Sequence, residues 1–190
     1  MEQDGDMKEE ERGKRGKAVR ESVSFILYLI AIVVLTFLMI RYVGQRTRVD
    51  GSSMENTLTN GDNLIVDKIS YRFHEPERFD IIVFPYQYKE DTYFIKRIIG
   101  MPGETVQITD KGEILINGEE LVESYGREVI KDPGLASDPI TLGEDEYYCL
   151  GDNRPHSSDS RYYGPFKKEN IRSKGIFIAW PLSDFGVETW

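Results

Sequence analysis

From Ser22 to Ile40 the chain runs for nineteen residues without a charge, dominated by Ile, Leu, Val and Phe. As a helix rising about 1.5 Å per residue this run would cover roughly 28 Å, close to the ~30 Å hydrocarbon thickness of a bilayer. A helix packed on a soluble core keeps a polar face, and Ser22–Ile40 has none. The apolar region of a cleaved leader is shorter, roughly 7–15 residues, and ends in small residues. Here it continues into Arg41-Tyr42-Val43-Gly44-Gln45-Arg46. The pattern predicts a retained transmembrane helix over 22–40, with a tail at 1–21 and a linker at 41–48.

Beyond Val49 the hydrophobic pattern changes to short runs separated by turn signals, which predicts strands. Candidates are Asn63–Lys68, Asp80–Phe84, Tyr93–Ile99, Glu104–Ile108, Glu113–Ile116, Glu146–Leu150 and Gly175–Trp180. Asn117-Gly118 marks a tight hairpin turn. Residues 119–144 carry Asp132-Pro133-Gly134 and Asp138-Pro139 as breakers and read as a loop or small excursion. The tract Phe84-Pro85-Tyr86-Gln87-Tyr88 reads either as an aromatic loop at a membrane interface or as an ordinary turn. Residues 49–190 are thus expected to form one mostly β domain.

Charge adds orientation and excludes partners. Residues 1–21 hold six basic and seven acidic residues with little to bury, and are expected to be disordered. Lys8, Arg12, Lys14, Arg15, Lys17 and Arg20 precede the apolar run, and only Arg41, Arg46 and Arg48 follow it closely. Basic flanks stay on the cytoplasmic side, so the amino terminus is expected inside and the large domain outside. That domain holds 15 basic against 26 acidic residues. Without a basic patch to neutralise phosphates, a nucleic-acid role is disfavoured, and anionic headgroups would repel it. One cysteine, Cys149, excludes an internal disulfide, and two histidines without a cysteine cluster offer no metal site. No cofactor and no metal are expected.

The candidate chemistry starts at Val49-Asp50-Gly51-Ser52-Ser53-Met54, a small-residue turn at most about 40 Å of extended chain from Arg41. Ser53 would be a nucleophile if a base took its proton. One candidate base is His156, set among Asp152, Ser157, Asp159 and Ser160, although that stretch also reads as a polar loop with nothing else to orient the imidazole. The other is Lys96. On a strand Phe94, Lys96 and Ile98 share one face, and an amine among apolar neighbours loses solvation and part of its basicity. The alternative for Lys96 is an ammonium that reaches water at a strand edge, its stem lying along apolar surface.

Taken together, four blocks resemble type I signal peptidases, membrane-anchored Ser/Lys proteases, in that family's order: Gly51-Ser52-Ser53-Met54 with Thr57-Leu58; Asp62–Lys68; Lys96–Glu104; and Gly151-Asp152-Asn153-Arg154 with Ser157, Asp159, Ser160 and Arg161. The single anchor and short outer domain look like the Gram-positive bacterial form. The resemblance implies a β-barrel-like catalytic domain behind one transmembrane helix at the cell membrane. Its expected activity is removal of signal peptides from exported precursors after a small-x-small (Ala-x-Ala) site. By the same resemblance Ser53 is the nucleophile and Lys96 the general base. Ser157 would orient the Lys96 amine, and an Asp159–Arg161 ion pair would hold the loop with Asp152 in support. The Ser53 backbone N–H would serve as oxyanion donor, with the Ser52 side chain as a candidate second donor because Gly51 stands where some members place a serine. Asn56 replaces the usual proline. Val49, Met54, Leu58, Phe94 and Ile95 would line the pocket for small side chains, with substrate added as a strand along Phe94-Ile95-Lys96. Expected partners are the precursors, membrane lipid and the secretion translocon.

Three other readings compete. A self-cleaving Ser/Lys repressor would carry a DNA-binding domain in place of the anchor. A sortase-like enzyme would use Cys149, which sits inside the apolar run Tyr147–Leu150. A non-catalytic membrane-anchored β domain that binds exported polypeptides would not need Ser53 and Lys96 together.

Overall fold

The structure, a computed structural model, describes residues 2–39, 42, 44–55, 57–85, 93–171 and 173–180. It divides into a unit spanning Met1–Val43 and a unit spanning Gly44–Trp190. The tract Tyr86-Gln87-Tyr88 and Asn56, both singled out above, lie outside the described residues.

The first unit is one helix, α1 (Glu2–Leu38). Its segment Arg20–Leu38 is long and apolar enough to cross a membrane and buries none of its side chains in the chain. The structure differs from expectation upstream, where the charged tail is helical rather than disordered. Glu, Lys and Arg are good helix formers. Pairs such as Glu10/Lys14 and Glu11/Arg15 stand four residues apart, acid first, a spacing that supports a helix.

The second unit is mostly β. Strands β1 (Gly44–Arg48), β2 (Asn63–Asp67), β3 (Ile81–Pro85), β4 (Tyr93–Gly100), β5 (Thr105–Ile108), β6 (Ile114–Ile116), β7 (Glu119–Glu120), β8 (Ile140–Thr141), β9 (Glu146–Leu150), β10 (Phe166–Lys167) and β11 (Ser173–Trp180) form two sheets. The larger follows the order β1-β2-β11-β3-β4-β9-β10, and the smaller β7-β6-β5-β8. The linker expected at 41–48 gives way to β1 from Gly44. Its sequence, Gly-Gln-Arg-Thr-Arg, shows no apolar alternation because among the described residues it is an edge strand paired to β2 alone, with Arg46 on Asn63 Oδ1 at 2.9 and 3.0 Å. The Asn117-Gly118 turn forms as expected, with φ of 54° and 86°, the left-handed pair that a two-residue hairpin requires. Residues 119–144 carry β7, a short 3-10 turn at Gly134–Ser137 and β8.

Three apolar clusters fix the frame around β4. Ile98 packs with Ile82, Phe84, Tyr147 and Cys149, while Ile99 packs with the smaller sheet through Val106, Ile108 and Ile114. A third cluster, Val49, Met54, Leu58, Leu64, Val66, Ile81 and Val83, lies under the turn that carries Ser53. Strand β4 is therefore held on both faces, which fixes the heights of its side chains.

Candidate active site

The Ser53 turn is built between two anchors. Val49 donates to Asp62 O at 2.8 Å and accepts from Gly61 N–H at 3.0 Å, while Leu58 N–H closes on Met54 O at 2.8 Å. Gly51 adopts a φ of 104°, a left-handed conformation open to glycine, and its N–H donates to Asn60 Oδ1 at 3.1 Å. Val49, Met54 and Leu58 are buried at 4, 2 and 1 % exposure, so the turn is pinned by apolar side chains on either side of the serine.

Lys96 stands on β4 opposite Ile82 and is 2 % exposed. Its Nζ lies 2.8 Å from Ser53 Oγ and donates to Ile95 O at 2.9 Å. The Phe94 ring closes one side, its centroid 4.9 Å from Nζ. Burial pulls the amine from its ordinary 10.5 down to about 8, against the opposing pull of the Asp159 and Asp152 carboxylates. Cys149 is 0 % exposed, and burial pushes its thiol well above the ordinary range, so it carries no charge where Lys96 titrates and is inert as a nucleophile. His156 is exposed and contacts Asn153 Oδ1 through Nδ1 at 3.3 Å, without a hydrogen bond to Ser53.

The segment 151–161 packs behind the serine. Gly151 has no room for a side chain: a methyl there would overlap both Ser157 Oγ and the Ser53 carbonyl oxygen. Asp159 and Arg161 form the expected pair, with Nε to Oδ1 at 2.8 Å and Nη2 to Oδ2 at 2.9 Å, and Asp159 also accepts from Gly151 N–H at 3.1 Å. Arg161 further donates to Arg154 O at 2.7 Å, which ties the two ends of the segment together.

Two placements differ from expectation. Asp152 does not join the Asp159–Arg161 pair. It makes a separate, fully buried bidentate pair with Arg97, Nε to Oδ1 at 3.0 Å and Nη2 to Oδ2 at 2.7 Å, and accepts from Thr57 Oγ1 as well. Arg97 went unassigned although its position carries a signal. An arginine between apolar strand neighbours needs a carboxylate wherever it is buried, and residues adjacent on a strand face opposite sides. Ser157 is buried beside the bare Cα of Gly151, but among the described residues its Oγ finds no hydrogen-bond partner, Lys96 Nζ included. The amine instead spends a hydrogen bond on Ile95 O.

A cleft of about 630 Å³ opens in front of Ser53 and Lys96. Val49, Met54, Phe94 and Ile95 line it, as does Ser52. Leu58 does not, because its side chain is turned into the cluster with Leu64, Val66 and Ile81. Along one side β4 pairs with β3 from Tyr93 to Arg97, whereas β9 joins the other side only from Arg97 onward. Among the described residues, the second edge of Tyr93–Lys96 has no strand beside it.

The sequence pattern of the family described as Signal peptidase, peptidase S26, matches residues 20–180. The chain is 36 % identical over 166 residues to "Probable signal peptidase I-2" of Synechocystis sp., covering 85 % of this chain and 74 % of that one. It is 39 % identical over 161 residues to "Signal peptidase I" of Leptolyngbya laminosa, covering 81 % and 77 %. With "Signal peptidase I" of Bacillus caldolyticus the identity is 37 % over 177 residues, covering 86 % and 92 %.

Proposed function

Since the chain belongs to the signal peptidase family, peptidase S26, and is a serine peptidase that removes signal peptides, we propose that Ser53 is its nucleophile and Lys96 its general base. The observation that carries this reading is the 2.8 Å approach of a buried amine to the Ser53 hydroxyl. An amine that titrates at about 8 is neutral in a useful fraction near neutral pH and can accept the Oγ proton. Ser53 Oγ adds to the scissile carbonyl carbon as its proton passes to Nζ, and the carbonyl electron pair becomes an oxyanion. Collapse of that adduct expels the amine of the mature protein, which takes the proton back from Nζ. A water then adds to the acyl carbonyl carbon as its proton passes to Lys96 Nζ, and collapse of this second adduct breaks the bond to Ser53 Oγ, which takes that proton from Nζ.

The Ser53 backbone N–H is the proposed oxyanion donor, with the Ser52 hydroxyl at the cleft wall as second donor. Asp159–Arg161 and Arg97–Asp152 hold the rear segment in place, and Ser157 supplies a hydroxyl toward the amine once substrate excludes water. The substrate extends as a strand along the open edge of Phe94-Ile95-Lys96, its small side chains entering the space lined by Val49, Met54, Phe94 and Ile95. This favours small residues, alanine above all, one and three positions before the cut.

The substrates are precursors that carry signal peptides. The helix segment Arg20–Leu38 would anchor the enzyme in the cell membrane beside the secretion translocon, amino terminus inside and the β domain outside. An acidic outer domain disfavours nucleic acid as a partner.

The test is cleavage of an Ala-x-Ala peptide by the full-length protein in detergent. Cleavage after the second alanine, lost in Ser53→Ala and in Lys96→Ala, is the expected result. Cleavage that persists in Ser53→Ala would sink the nucleophile assignment, and a folded wild type without activity would favour a binding domain.

A further inference from the structure

We propose that Asn153 is a positioning residue that aims the Ser53 backbone N–H at the reacting carbonyl oxygen, an inference that rests on the reading of Ser53 as nucleophile. The two hydrogens of Asn153 Nδ2 both find acceptors, Ser52 O at 2.9 Å and Glu55 Oε2 at 3.3 Å. A carboxylate only accepts, so Glu55 fixes which end of the amide faces the serine turn and leaves Oδ1 for His156 Nδ1. Glu55 is itself held by Arg127 Nη1 at 3.0 Å. The Asn153 N–H donates to Ser53 O at 3.0 Å. One residue thus grips two successive carbonyls of the nucleophile turn.

The consequence follows from peptide geometry. In a planar trans peptide the C=O and the next N–H point in opposite directions. With the Ser52 carbonyl drawn toward Asn153, the Ser53 N–H turns away from the segment behind it, to the side where Ser52, Ser53 and Lys96 border the cleft. Asn153 is 2 % exposed and does not line that cleft, so it acts from behind the peptide. Among the described residues no acceptor meets the Ser53 N–H, which leaves it available to a developing oxyanion. The turn's own bond to the same carbonyl, from Glu55 N–H, is longer at 3.1 Å. Asn153 therefore supplies the shorter of the two restraints on the orientation of this peptide.

The test uses the full-length protein in detergent with an Ala-x-Ala peptide. Asn153→Ala deletes the side-chain donor and keeps the backbone bond to Ser53 O. Its kcat is expected to fall about 10- to 100-fold, less than or comparable to deletion of a whole oxyanion donor, with KM within about twofold. The pH midpoint of kcat/KM should stay where it is, because Lys96 is untouched. A peptide aldehyde supplies a second readout. Ser53 Oγ adds to its carbonyl carbon, the Oγ proton passes to Lys96 Nζ, and the carbonyl electron pair becomes the oxyanion. Inhibition by the aldehyde should weaken by the same factor as kcat, while a reduced-amide peptide, which has no carbonyl at the cut, should bind unchanged.

Equal weakening of both inhibitors, a displaced pH midpoint or an unchanged kcat would each overturn the assignment. If the alanine variant fails to fold, Asn153→Asp keeps the shape, replaces the donor by an acceptor and should show the same kcat-selective loss. Ser53→Ala measured alongside separates the two readings. Residual cleavage there refutes the nucleophile itself, whereas complete loss there beside a normal Asn153→Ala refutes only the role of Asn153.

Discussion

Replacing Lys96 by methionine should abolish cleavage and yet stabilise the folded chain, by an amount that depends on pH in a specified way. Met has nearly the volume of the lysine stem and carries no charge to desolvate. The folded state holds the amine at about 8 instead of 10.5. At ~1.36 kcal/mol per tenfold difference in proton affinity, the wild type gives up about 3 kcal/mol at pH 7. The sign follows from the direction of the shift. Below the folded value the amine is charged both folded and unfolded, and the full cost of burying a cation is present. Above 10.5 it is neutral in both, and the cost vanishes. Between those limits the wild type gains on the variant as pH rises, and at pH 10 less than about 1 kcal/mol of the difference remains. The two hydrogen bonds lost from Nζ offset part of the gain but only weakly with pH. The assay is urea unfolding of both full-length proteins in one non-ionic detergent at pH 7 and pH 10. The stability difference between them should change by roughly 2 kcal/mol over that interval. A difference that is the same at both pH values would refute a buried, weakened amine at position 96, and with it the reason this lysine can act as a base.

Three further outcomes follow from the same geometry. In the wild type kcat/KM should rise with pH through a midpoint near 8, and Lys96→Arg should be inactive at every pH because a guanidinium keeps its proton; an active arginine variant would rule out the base. Gly151→Ala should lower kcat more than a hundredfold, roughly, by driving Ser157 and the Ser53 carbonyl apart, and cleavage at near wild-type rate would show that the close approach is not needed. Arg97→Met should cost about 3–5 kcal/mol by stranding the buried Asp152 carboxylate, whereas the double variant with Asp152→Leu should recover much of it; equal melting of single and double variants would show that the pair is not desolvated as described.

What could be read from the chain alone divides by range. Strands with a strong apolar pattern, such as Tyr93–Gly100 and Glu146–Leu150, were legible from local sequence, as was the Asn117-Gly118 turn, because each is decided by residues within a few positions of one another. Strand β1 was not, since an edge strand of polar residues owes its place to the Asn63–Asp67 partner and not to its own pattern. For the candidate site, the blocks pointed to Ser53 and Lys96, and the structure brings them within hydrogen-bond distance. The pairing of Arg97 with Asp152 spans 55 positions, and nothing local indicates that Asp152 chooses it over Arg161. Leu58 illustrates the same limit on a smaller scale: an apolar residue five positions from the serine suits a pocket wall or the core beneath it, and only packing decides.

Strand β4 sets two cations side by side, Lys96 and Arg97, and sends them to opposite faces. In the proposed mechanism Lys96 gives up its proton, whereas the Arg97 guanidinium keeps its own. A slip of β4 by a single residue against β3 would set Arg97 before Ser53 and Ile98 before the Asp152 carboxylate, and the opposite slip would set Ile95 before Ser53 and Lys96 before Asp152. Either slip removes the proposed base from Ser53 and breaks the buried Arg97–Asp152 pair in one step. The alignment of two strands is thus tied to chemistry as well as to hydrogen bonds, and the register that buries the Arg97–Asp152 pair is the one that sets the Lys96 amine 2.8 Å from the Ser53 hydroxyl.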